Sequence, residues 1–67
     1  MYTTKQFEDA AIQRGFELDH IILNEHQLIK HASGFVFREK RKVKVRWNNQ
    51  GVALTSTGLC PEFNLFF

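Results

Sequence analysis

The spacing of apolar residues changes along this chain, and each change predicts an element boundary. Between Thr3 and Gly15 the period is helical. Thr3 and Gln6 stand where a capping box places its N-cap and N3 residues, and Tyr2 and Phe7 stand where a hydrophobic staple closes over it. Phe7, Ala10 and Ala11 form the inward stripe, narrow because alanine is small. Gly15 suits the left-handed position that follows a helix ending at Arg14. A helix is therefore predicted from about Thr4 to Arg14.

Residues 16–34, FELDHIILNEHQLIKHASG, support two assignments. With Asp19 as N-cap, Ile21, Ile22, Leu28, Ile29 and Ala32 share one helical face and Gly34 ends the run. With Asn24 as N-cap, a shorter helix covers Glu25 to Ser33, and the β-branched IIL ahead of it is extended. Both place a helix over Glu25 to Ala32, and the shorter is favoured because three adjacent apolar residues fit a buried extended segment better.

From Gly34 onward the period falls to two. Val43, Val45 and Trp47 alternate with Lys42, Lys44 and Arg46, the mark of a strand with one buried face. NNQG then suits a type I turn with its glycine in a left-handed bulge. That turn would pair Trp47 with Val52, Val45 with Leu54 and Val43 with Ser56, setting Ala53, Thr55 and Thr57 opposite the cations. Ahead of the hairpin, Phe35 and Phe37 share one face of a third strand, and the turn near Glu39 to Arg41 carries no glycine or proline to define its geometry. Pro61 bars a central strand, leaving EFNLFF as a short edge strand or an apolar flap. The expected fold class is α+β, a single small domain over residues 1–67. One or two N-terminal helices would pack on a three-stranded antiparallel β-meander, with the tail as an optional edge strand.

Charge adds the functional signal. The chain has 67 residues and a net charge of +2, unevenly distributed. Residues 1–34 hold three basic against five acidic side chains, and residues 35–67 hold six basic against two acidic. All six basic residues of the second half, Arg38, Lys40, Arg41, Lys42, Lys44 and Arg46, lie in one stretch of nine. Like charges at alternate strand positions recur about every 6.5–7 Å. Phosphates of a nucleic-acid strand recur at comparable spacing, so a basic β-ribbon can follow a backbone. These six residues are the expected nucleic-acid contact, with an acidic protein surface as the alternative partner. Lysine on a solvated strand also serves solubility and guards open edges, which is the plainer account of the same residues. Trp47 shares its face with Val43 and Val45 and is assigned to the core.

Other chemistry finds little footing. Ala11, Gly15 and Ile21 echo a helix-turn-helix spacing, but Arg14 and Asn24 stand where that pattern wants apolar residues. Glu17, Asp19 and Glu25 would also load its recognition helix with negative charge. His20, His26 and His31 are six and five residues apart, which puts them on different helical faces, so with Cys60 they suggest no metal site. No phosphate-cradling glycine loop, HExxH motif or nucleophile elbow occurs, and the expectation is a non-enzymatic protein without cofactor. The lone Cys60 and the lack of an apolar leader or span point to a cytoplasmic location with no membrane partner. Leu65, Phe66 and Phe67 end the chain on apolar side chains. They either complete the core or offer a protein-interaction surface, including one for a homodimer.

Overall fold

A computed structural model describes residues 2–66. Helix α1, Thr4–Gln13, is followed by strands β1 (Glu17–Leu23), β2 (Ile29–Arg38), β3 (Arg41–Asn48), β4 (Ala53–Thr55) and β5 (Gly58–Leu59), then a 3-10 turn at Pro61–Phe63. The strands form one antiparallel sheet in the order β1-β2-β3-β4-β5. The α+β class holds, with one α-helix and five strands among the described residues where three strands were expected. Among the described residues no helix is long and apolar enough to cross a membrane.

Helix α1 forms as its caps dictate. The Thr3 hydroxyl accepts from the Gln6 amide at 3.2 Å, while the Gln6 side chain accepts from the Thr3 amide at 2.8 Å. Tyr2 and Phe7 meet edge to face, ring centroids 6.1 Å apart. At the other end the Phe16 amide donates to Ala11 and the Gly15 amide to Ile12, with Gly15 at φ +81°. This is the Schellman closure, and it turns Phe16 back beneath Ala11 so that both are buried.

The predicted second helix over Glu25 to Ala32 is not formed, and neither is a helix-turn-helix, because residues 17–38 make a β-hairpin. Two bulges explain the helix-like spacing. Leu18 pairs with Gly34 and His20 with Ser33, which makes Asp19 an extra residue on β1. Ile22 pairs with His31 and Leu23 with Ile29, which makes Lys30 an extra residue on β2. Each extra residue turns a two-residue step into three, so Leu18 and Ile21, like Ile29 and Ala32, face inward at a helical interval. Asn24 caps a turn instead of a helix, its side-chain oxygen accepting from the His26 and Leu28 amides. Gly34, expected to stop a helix, lies inside β2, where a Cβ would collide with the Glu17 carbonyl.

The β3–β4 turn forms at NNQG, with the Gly51 amide donating to the Asn48 carbonyl and Gly51 at φ +78°. Its register differs from the expected one by a residue: Trp47 pairs with Ala53 and Arg46 with Leu54. One residue of slip exchanges the faces of β4, so Ala53 is buried and Leu54 is exposed. The cause lies in what surrounds Trp47. Its indole N–H donates to the Phe63 carbonyl at 2.9 Å, and Ala53, its partner on β4, is buried in the same cluster as Phe63. Asn64 accepts from the Ala53 amide, and the Leu65 amide donates to the Gly51 carbonyl.

The core occupies one face of the sheet. Ala32, Val36, Val45, Trp47 and Ala53 point into it, packed with Phe7, Ala11 and Phe16 from the helix and its closing turn and with Phe63 and Leu65 from the tail. The tail is thus a flap over the core, not an edge strand. Leu65 is buried, and the Phe66 ring stacks on Tyr2 with centroids 3.7 Å apart. Phe67 lies outside the described residues. The opposite face of the sheet carries no covering element among the described residues.

Candidate nucleic-acid interface

That uncovered face is organised by strand. Paired residues on neighbouring antiparallel strands share a face, and parity follows from the buried set. Since Val43, Val45 and Trp47 turn toward the core, Lys42, Lys44 and Arg46 turn outward, and all three are exposed. Their partners on β2 are Phe37, Phe35 and Ser33. Arg46 faces Leu54 on β4, which in turn faces Leu59 on β5. On β1, Glu17 lies beside Phe35 and His20 beside Ser33, while Asp19 accepts from the Ser33 hydroxyl at 2.9 Å.

The six expected contact residues therefore separate. Lys42, Lys44 and Arg46 form one row on the outer face. Arg38 and Arg41, paired across the β2–β3 turn, share the parity of Val36 and Val43 and belong to the core side. There the Arg38 guanidinium sits 5.3 Å from the centre of the Phe63 ring and caps the end of the core. Lys40 occupies the turn itself. Both turn residues have positive φ, +51° at Glu39 and +65° at Lys40, as a two-residue primed turn demands.

The electrostatics of the outer row favour an anion. Among the described residues, none of Lys42, Lys44 and Arg46 is in an ion pair. The carboxylates of this face, Glu17 and Asp19, stand on β1, two strands from β3 and so about 9–10 Å away at ordinary strand spacing. The face grades from acidic at β1, through aromatic at β2, to basic at β3 and apolar at β4 and β5. On the β4 side, Ala53, Thr55 and Thr57 were expected opposite the cations; Leu54 stands opposite Arg46 instead, and Lys42 and Lys44 have no β4 ladder partner among the described residues.

Phe35 and Phe37 were not identified as surface residues from the sequence. Phe37 is 66% exposed, and the two rings meet edge to face with centroids 5.7 Å apart. The Lys42 ammonium lies 4.2 Å from the Phe35 ring centre, a cation–π distance. The signal that could have found them is the parity of a tight Glu39-Lys40 turn. It pairs Arg38 with Arg41 and then Phe37 with Lys42, placing the phenylalanines among the cations.

The remaining candidate chemistry is dispersed. No cluster of three or more His, Cys, Asp or Glu residues able to hold a metal occurs among the described residues. Desolvation, then a hydrogen bond from its thiol to Glu62, raises the Cys60 pKa, which favours the thiol over the nucleophilic thiolate. No protein-family model, no curated protein and no solved structure matches this chain.

Proposed function

We propose that this protein is a non-enzymatic binding module that contacts the phosphate backbone of nucleic acid through Lys42, Lys44 and Arg46. The observation that carries the proposal is the row itself: three exposed cations on one face of one strand, without an ion-pair partner among the described residues. At about 6.5–7 Å per step they match the recurrence of phosphates, and each phosphate neutralised releases counterions. Lys40, at the turn, extends the row, while Arg38 lies over the Phe63 ring and Arg41 shares its strand parity. A cytoplasmic setting accompanies this function, since the lone Cys60 stays reduced there.

Fluorescence anisotropy of labelled single-stranded and duplex oligonucleotides, at low and at physiological salt, tests the proposal. Binding that weakens steeply with salt, and that is lost when Lys42, Lys44 and Arg46 are replaced together by serine, is expected. No binding at low salt would refute it.

A second reading draws on a different observation. β4 pairs with β3 only at Arg46 and Trp47, so the β4-facing side of β3 from Arg41 to Val45, whose other side pairs with β2, has no ladder partner among the described residues. A groove of about 600 Å³ runs along it, from Arg41 to Arg46 on one side and Leu54 to Ser56 on the other. An extended acidic segment of another protein would pair with this edge and meet the same lysines.

A further inference from the structure

The phosphate contact proposed for β3 leaves the two exposed phenylalanines beside it without a role, and their position suggests one. We propose that the ligand is a single-stranded nucleic acid whose unpaired bases stack on Phe37, braced by Phe35, while its phosphates lie on Lys42, Lys44 and Arg46. This inference rests on the phosphate contact and deepens it by naming the class of nucleic acid.

Three observations converge. Phe37 is 66% exposed on a strand whose Ala32, Gly34 and Val36 are all buried, so the aromatic surface is on the side away from the core. Its register partner is Lys42, and that of Phe35 is Lys44, so each ring lies one strand from a cation. That separation is about 4.8 Å, within reach of a nucleotide whose phosphate rests on β3 and whose base leans toward β2. The charge gradient sets the direction of lean. Glu17 and Asp19 on β1 repel a polyanion, which keeps the phosphates on β3 and leaves β2 to the uncharged bases.

The contact between Lys42 and Phe35 supplies a mechanism for exchange. Without ligand the ammonium lies over the Phe35 ring at 4.2 Å. A phosphate at β3 offers it a full negative charge, and its departure frees the Phe35 ring that braces Phe37. Duplex ends its advantage here, because its bases already stack on one another and present only their edges in the grooves. An acidic protein segment would meet the lysines equally well, yet its carboxylates offer no aromatic ring to stack on Phe37.

The test compares a single-stranded oligonucleotide, as oligo-dT and as oligo-rU, with an abasic oligomer of the same phosphate count, a duplex and an oligoglutamate of equal charge. The base-bearing strands are expected to bind about tenfold more tightly than the abasic oligomer, the scale of a stacked base. Phe37→Leu should erase that difference while leaving abasic binding and its salt dependence unchanged, and Phe35→Leu should reduce it. Circular dichroism and emission from the buried Trp47 verify that each variant is folded. Equal affinity for abasic and base-bearing strands, tighter binding of the duplex, or displacement of the strand by oligoglutamate at equal concentration would overturn the stacking inference. In each of those cases the cationic row still binds an anion. Failure of every polyanion to bind is a different outcome, and it removes the phosphate contact together with the stacking.

Discussion

At the scale of single residues, three positions carry more of the architecture than their chemistry suggests. Gly34 is required because β1 passes so close that any Cβ meets the Glu17 carbonyl. Gly34→Ala should lower stability by about 1–3 kcal/mol, as overpacking does, with urea denaturation as the measure and unchanged stability as the contrary result. Trp47 joins the sheet to the tail through its bond to the Phe63 carbonyl and its edge contact with Phe16. Trp47→Phe leaves that carbonyl without its donor and should cost about 1–3 kcal/mol. Arg38 illustrates how residue type misleads at this scale. Its charge places it with the basic stretch, while its parity and its position over Phe63 place it with the core.

At the scale of elements, the β2–β3 turn decides which side chains share a face. Glu39 and Lys40 both adopt left-handed backbone that glycine or asparagine would hold at lower cost. Lys40→Gly should therefore stabilise the hairpin by about 1 kcal/mol without moving the register, which thermal unfolding and amide exchange would detect. Helix α1 was legible because its caps, staple and terminal glycine are local signals, each complete within a few residues. The β3–β4 turn was legible for the same reason. The β1–β2 hairpin was not, because the bulges at Asp19 and Lys30 arise from pairing between strands and reproduce the interval of a helix. The register of β4 was hidden likewise, since it answers to the Trp47 indole and to Asn64, which lies on the tail. Of the candidate site, the alternation of Lys42, Lys44 and Arg46 was visible in the chain itself. The phenylalanines beside them depended on the parity of a turn with no glycine.

At the scale of the whole molecule, the helix and tail close one side of the sheet and leave the other to a graded surface. Leu65 belongs to the closed side, and Phe66 stacks on Tyr2. Removing Leu65 to Phe67 should cost more than about 2 kcal/mol, by the loss of buried apolar volume. A truncated chain that remains as stable as the intact one and loses only a dimer in sedimentation would assign the tail to self-association instead. On the open side, strand parity sets Lys42, Lys44 and Arg46 in an outer row, proposed to meet phosphate, and sets Arg38 and Arg41 on the other face, with Lys40 in the turn between them. The most direct test is the slope of log K against log salt for oligo-dT binding by the intact protein and two variants. Replacing Lys42, Lys44 and Arg46 by serine should flatten the slope by roughly 2, at about 0.7 per phosphate on a single strand, whereas replacing Arg38 and Arg41 by serine should leave it unchanged. Equal loss of slope in both variants, or loss confined to Arg38 and Arg41, would contradict the account.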